Sequence, residues 1–219
     1  MTDKPFNLIP LFGIPLYQAM IEPGITDEEI KFIKNTQYER FAADNGYGSV
    51  DKFILEQPEL QNLRQKLKAS CEHYLHETLD LDDQQTTFEI TNSWSVKHLK
   101  GDEGGAHTHA GSMFSAVFYV DAENNSGEIV FHKEKTNYNI MTPTVSVPYK
   151  NKNFNVFNSE AFAIPPMKNM LVIFPSHLSH SVNPNQNDSE RYCIAFNLFA
   201  FGEFHKGTRA QLGLKNITR

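Results

Sequence analysis

Apolar and polar residues along this chain follow two different periods, and the change of period divides it. Between Asn7 and Ile21 the apolar residues Leu8, Ile9, Leu11, Phe12, Ile14 and Leu16 are interrupted by Pro10 and Pro15. Proline cannot donate to a ladder, so this segment is restricted to short or edge strands. Thr26-Asp27-Glu28-Glu29 is a capping box, with a hydroxyl at the N-cap and a carboxylate three residues on. It predicts a helix through Ile30 and Ile33 towards Phe41, and Ala42 to Val50, with Gly46 and Gly48, reads as loop. A longer helix is predicted from Pro58, which suits the first helical position because its missing N–H costs nothing there. Its apolar face is Leu60, Leu63, Leu67, Cys71, Tyr74 and Leu79, spaced almost throughout by three or four residues.

From about Thr86 the period becomes two. Phe88, Ile90, Trp94 and Val96 alternate with polar residues, which predicts a strand. Further strands are expected at Met113–Val120, Glu128–His132, Ala161–Ile164, Asn169–Phe174 and Arg191–Phe201. Turn chemistry separates them: Asn124-Asn125-Ser126-Gly127, Pro165-Pro166 and Asn183-Pro184-Asn185. Two helices followed by seven or eight strands fit an α+β jelly roll, a double-stranded β-helix with the N-terminal helices packed on the major sheet. The expected organisation is a single domain over 1–219: helical support over 1–85, jelly-roll core over 86–201 and a C-terminal tail over 202–219. The insert Lys133–Glu160, rich in Asn, Lys and aromatics, is expected to form a lid.

Composition changes this picture little. The chain has 219 residues, a formal net charge of −6 and 17 Phe, which supplies ample material for a core. No basic run offers a nucleic-acid face. No segment is long and apolar enough for a membrane span, and the first twenty residues lack a basic region followed by a continuous apolar stretch. Cys71 and Cys193 fit a helix stripe and a strand, so two buried free thiols in a reducing compartment are expected. A soluble, cytoplasmic monomer or homodimer follows, with neither nucleic acid nor membrane as partner.

The chemistry lies in the histidines. In extended chain, residues two apart point to the same side, so the imidazoles of His107-Thr108-His109 can converge on one ion. His180 follows the run Leu171-Val172-Ile173-Phe174-Pro175 and therefore sits near a strand end. Two ligands from one segment and a third from another make a facial metal site with open positions. Asn92 and Trp94, on the preceding strand, are candidates for the substrate mouth, and His177 for its rim. Asp102 and Glu103 are weaker ligand candidates. His98 and His205 have no evident partner.

These residues resemble the Fe(II)- and 2-oxoglutarate-dependent oxygenases, especially the prolyl-hydroxylase-like branch and its microbial and phage relatives. The resemblance rests on His107-Thr108-His109, Ser115-Ala116-Val117-Phe118-Tyr119-Val120, Asn125-Ser126-Gly127-Glu128-Ile129-Val130-Phe131, Phe174-Pro175-Ser176-His177-Leu178-Ser179-His180-Ser181-Val182 and Arg191-Tyr192-Cys193-Ile194-Ala195-Phe196-Asn197. It covers roughly Asn92 to Phe199. It implies an oxygenase that uses Fe(II), 2-oxoglutarate and dioxygen to hydroxylate a C–H bond of a small-molecule or peptide substrate. It also implies that Arg191 binds the far carboxylate of 2-oxoglutarate, a contact suited to a planar guanidinium, and that Tyr119 adds a hydroxyl there. One departure stands out: the family pattern has a carboxylate where this chain has His109.

Two other readings use the same residues. Gly101, five residues and then H-x-H resemble the start of a cupin signature, which would imply a three-histidine iron dioxygenase without 2-oxoglutarate. The Glu and Gly expected in the cupin motifs are missing, and Arg191 would have no purpose there. The last reading is a non-catalytic jelly-roll binding module in which the histidines are incidental.

Overall fold

The computed structural model describes residues 13–41, 45–133, 155 and 159–215. The start of the first predicted strand and nearly all of the expected lid lie outside the described residues.

The described residues form twelve strands and two α-helices: β1 (Tyr17–Met20), α1 (Asp27–Asn35), β2 (Tyr38–Arg40), β3 (Tyr47–Ser49), α2 (Gln61–Glu72), β4 (Thr86–His98), β5 (Gly104–His107), β6 (Phe114–Asp121), β7 (Ile129–His132), β8 (Ala161–Ile164), β9 (Met170–Pro175), β10 (His180–Val182), β11 (Arg191–Phe204) and β12 (Leu212–Leu214). The major sheet runs β1-β9-β6-β11-β4-β3-β2, with β12 also on β11; the minor sheet runs β5-β10-β7-β8. Two facing antiparallel sheets of this order are the double-stranded β-helix expected from the sequence.

The capping box at Thr26 is complete. Thr26 Oγ1 accepts from Glu29 N, and Glu29 Oε2 accepts from Thr26 N. Glu29 is buried and its second oxygen accepts from Leu63 N, so the cap of α1 also supports the start of α2. The predicted long helix is a composite: a 3₁₀ turn at Pro58–Leu60, α2, and a π-helical segment at His73–Thr78. Ile33, Leu63, Leu67 and Cys71 pack with Phe118, Ile194 and Phe196 in one core, between the helices and the major sheet. A second core, with Ile129, Phe131, Val172 and Phe174, lies between the two sheets.

The N-terminal third is more than helical support. β1 extends the major sheet as an edge strand on β9, consistent with the prolines beside it. The segment read as loop between Ala42 and Val50 contains β3, which pairs with β4 and with β2. The C-terminal tail folds back as a hairpin, with β12 pairing the end of β11. Cys71 and Cys193 are both buried and free.

Gly127 closes the β6–β7 turn at φ +95°, and a Cβ there would fall 2.2 Å from the carbonyl oxygen of Asn183. Both constraints exclude a side chain. Gly127→Ala is expected to lower the unfolding free energy by about 1–3 kcal/mol, read as a lower urea midpoint at unchanged m-value.

Candidate metal centre

β11 is the strand that builds the site. Its outward residues Tyr192, Ile194, Phe196 and Leu198 enter the helix-side core. The alternate set, Arg191, Cys193, Ala195 and Asn197, faces the minor sheet. Register brings matching residues beside them: His98, Val96, Trp94 and Asn92 of β4 stand opposite that set. On the other flank, Tyr119, Val117 and Ser115 of β6 pair with Cys193, Ala195 and Asn197. Between the sheets these residues, all but Asn92, Asn197 and Ser115, line a cavity of about 490 Å³, whose other walls include Gly104, His107, Ile129, Phe174 and His180.

The minor sheet brings the histidines together. β5 and β10 pair with His107 directly opposite His180. His109 lies just beyond β5, where its N–H donates to Ser176 O at 3.0 Å. One ligand nitrogen from each of the three imidazoles lies within 4.8 Å of the others, and this is the only such cluster among the described residues.

Hydrogen bonds fix which nitrogens converge. The Nδ1–H of His107 donates to Gly105 O at 2.8 Å, and that of His180 to Leu178 O at 3.0 Å. A carbonyl only accepts, so Nδ1 carries the proton and Nε2 keeps its lone pair. The Nε2 atoms of His109 and His180 stand 3.3 Å apart. His109 also has a side-chain hydrogen bond to Asn197, for which Nδ1 is the remaining nitrogen. Three lone pairs therefore point at one place, each ring steadied from behind as ligating imidazoles usually are. Trp94 stacks on His109 with centroids 5.9 Å apart, and Phe174 meets His180 edge-on at 4.7 Å. Burial, reinforced by the charge of His107, pulls His109 down to about 4 against the Asn197 bond. Burial also brings His180 to about 4, against its bond to Leu178. Both rings are thus neutral at physiological pH, as a metal requires.

Behind His109 runs a polar chain. Asn197 Nδ2 donates to Asn92 Oδ1 at 2.9 Å, and Asn197 Oδ1 accepts from Ser115 Oγ at 2.9 Å. The hydroxyls of Ser115 and Ser112 both bond Ser176 Oγ, at 2.8 and 2.7 Å.

Arg191 lies on the same cavity and is 2% exposed. Nη1 donates to Ser126 O at 3.2 Å and Gly127 O at 2.8 Å; Nη2 donates to His98 Nδ1 at 2.7 Å. Nε is buried with no partner. Tyr119 also lines the cavity, and burial raises its pKa, partly offset by Arg191, so its hydroxyl stays protonated.

Other candidates stand elsewhere. Asn92 is not among the cavity-lining residues and accepts a hydrogen bond from Asn197. His177 is exposed and likewise does not line the cavity. Asp102 is buried and committed to other partners, accepting from Arg40 Nη2 and Leu99 N, both at 2.9 Å. Glu103 is not part of the histidine cluster. Sequence reasoning gave His98 no partner and Asn197 no role of its own. The available signal was parity: His98 shares the period of Trp94 and Val96, and Asn197 that of Arg191.

Residues 92–197 match the family described as "Putative 2OG-Fe(II) oxygenase". Among solved structures, an oxidoreductase of the 2OG-Fe(II) oxygenase family from Burkholderia pseudomallei is 13% identical with TM-score 0.55, over 83% of this chain and 84% of that one. A Pseudomonas putida prolyl-4-hydroxylase is 12% identical with TM-score 0.53, over 84% of this chain and 92% of its own. HygX from Streptomyces hygroscopicus, solved with nickel, 2-oxoglutarate and hygromycin B, is 8% identical with TM-score 0.54, over 85% and 83%. At these identities the likeness is one of fold. No curated protein matches the chain.

Two outcomes follow from the geometry. Asn197→Leu, which removes the support of His109, is expected to weaken metal binding about 10–100-fold, measured by competition with a chromogenic chelator. His98 is buried beside Arg191, and burial first, then that charge, lowers its pKa from 6.5 to about 3. The unfolded chain then binds one more proton than the folded chain between these values. Stability from His98 is complete above pH 6.5 and shrinks as pH falls towards 3. Replacing His98 by Asn should flatten the loss of stability between about pH 6 and about pH 4 by about 1.4 kcal/mol per pH unit, seen in urea titrations at each pH.

Proposed function

We propose, from the match of residues 92–197 to the 2OG-Fe(II) oxygenase family, that His107, His109 and His180 hold one Fe(II) while Arg191 and Tyr119 hold the far carboxylate of 2-oxoglutarate. The reading is a hydroxylase acting on a C–H bond of a small molecule or peptide. Iron and 2-oxoglutarate, when bound, supply the activation of dioxygen; the protein supplies placement and exclusion of water.

The observation that carries the proposal is the unmatched charge of the cavity. Arg191 is buried and makes no ion pair among those formed by the described residues. A buried cation without a counter-ion is costly, and its partnerless Nε marks where an acceptor belongs. The donor set of three imidazoles is also neutral, so it leaves the charge of a divalent ion uncompensated. No described residue lining the cavity carries a carboxylate. A 2-oxo dicarboxylate answers both needs with one molecule: its oxo-acid end serves the histidine site and its far carboxylate serves Arg191. The protonated hydroxyl of Tyr119 offers a further donor on the same face. Trp94, stacked on His109 and lining the cavity, is the candidate wall for the substrate.

Anaerobic addition of Fe(II) and then 2-oxoglutarate should produce a visible metal-to-ligand charge-transfer band. His107→Ala should abolish it. Arg191→Met should raise the 2-oxoglutarate concentration needed by about 10–100-fold. Iron binding without the band would overturn the proposal in favour of a cupin-like use of the same histidines, and no iron binding would favour a binding module. His109→Asp, which restores the carboxylate usual in the family, should keep the band; its loss would give His109 a role that only imidazole can fill.

A further inference from the structure

The contact that secures Arg191 goes to a neutral ring. Cross-strand register sets His98 directly opposite Arg191, and antiparallel partners on one face meet through their side chains. Nη2 donates to His98 Nδ1 at 2.7 Å. The acceptor nitrogen must be unprotonated for this, and burial beside the guanidinium keeps it so. The remaining anchors, the carbonyls of Ser126 and Gly127, are neutral as well. Thus three acceptors without formal charge occupy three of the five N–H groups.

His98 is itself held tightly. It is 3% exposed. Its carbonyl accepts from Asn185 Nδ2 at 3.2 Å. The β2–β3 turn presses backbone against its ring: Gly46 stands at φ +73°, and a Cβ there would fall 2.3 Å from His98 Cδ2. Only glycine satisfies both the left-handed turn and the close approach.

We propose that His98 is a positioning residue for the cosubstrate: it orients Arg191 through an uncharged acceptor, so that the guanidinium stays fixed while its charge remains available to the far carboxylate of a 2-oxo dicarboxylate. This rests on the preceding reading of Arg191. A carboxylate in the place of His98 would orient the guanidinium as well, but it would also neutralise it and compete with the ligand. An apolar residue would leave the charge free but the guanidinium unheld. The neutral imidazole holds the guanidinium and spares its charge, and the consequence is selectivity between acids that carry the far carboxylate and acids that do not.

The test compares 2-oxoglutarate with 2-oxopentanoate, which has the same chain length without the far carboxylate. Both are titrated anaerobically into the Fe(II)-loaded full chain and followed by the charge-transfer band. His98→Asn keeps a neutral acceptor, with Oδ1 standing in for Nδ1, and should stay within about threefold of wild type for both acids. His98→Asp has nearly the same shape as the Asn variant and adds only charge. It should weaken 2-oxoglutarate by about tenfold or more while leaving 2-oxopentanoate unchanged. His98→Phe, with no acceptor, should also lose affinity for 2-oxoglutarate alone. A merely structural role would shift both acids together. Equal selectivity in wild type and His98→Asp, or parallel loss for both acids in all three variants, overturns the proposal. If His98→Phe does not fold, the Asn and Asp pair decides. A wild-type chain that shows a band with neither acid overturns the 2-oxoglutarate reading, and this inference with it. A wild-type preference for 2-oxoglutarate that the Asp variant retains overturns this inference alone.

Discussion

In an antiparallel pair, residues directly opposite share a face, and a slip of one position turns every side chain over. β11 lies between β6 and β4, and the whole major-sheet wall of the site depends on that double register. It sets Arg191 against His98, Cys193 between Tyr119 and Val96, and Asn197 between Ser115 and Asn92. The opposite face of the same strand fills the helix-side core with Tyr192, Ile194 and Phe196. A one-residue slip would therefore bury the polar set against the helices and turn aromatic bulk into the cavity. The core thus enforces the register, and the register places the site. The bulge between Asn197 and Leu198 falls just where β11 leaves the site, where an extra residue alters the pairing without disturbing the residues before it.

The cavity's electrostatics are one-sided. Its described walls offer imidazoles, a phenol and a guanidinium, but no carboxylate. In water such a set would be unremarkable, but inside a protein an unpaired charge is among the most expensive features a fold can carry. The hydrogen bonds at the site distribute this cost without cancelling it. Gly105 and Leu178 steady two histidines through carbonyl oxygens, and Asn197 steadies the third through an amide. Ser126, Gly127 and His98 do the same for Arg191. No acceptor in this collection is anionic. A site arranged this way gains most from a ligand that brings negative charge at both ends.

Much of this is legible in the sequence, for identifiable reasons. Long strands announce themselves by an apolar run or by alternation, and β4, β6, β9 and β11 lie close to the spans their apolar residues predict. β8 matches its predicted span, Ala161–Ile164. The capping box marks the start of α1, because its hydrogen bonds are local. The short strands are not legible. β5, with two glycines, and the three-residue β10 have no apolar period, and only pairing within the minor sheet makes them strands. They also carry His107 and His180, so the spacing of the histidines points to the site while the elements holding them remain hidden. β3 reads as loop because Gly48 interrupts it, yet that glycine is where Phe41 packs, with a Cβ there falling 2.0 Å from the Phe41 ring. His98 has no visible partner in the sequence because its partner is 93 residues away, and a contact at that range is set by register alone.

The seat that Gly46 provides for His98 has a further consequence for modularity. The family match begins at residue 92 and takes in every histidine of the cluster, Arg191 and Tyr119. It leaves out Gly46, and with it Phe41 and Asn45, which line the same cavity. A transplanted or trimmed core would keep the ligands and lose the wall that dries the ring beside Arg191. Water reaching that imidazole would let it take a proton, and a protonated ring cannot accept a bond from a guanidinium. The proposed site residues are therefore contained in that core, while the dry wall that keeps His98 neutral is supplied by a turn about fifty residues upstream of it.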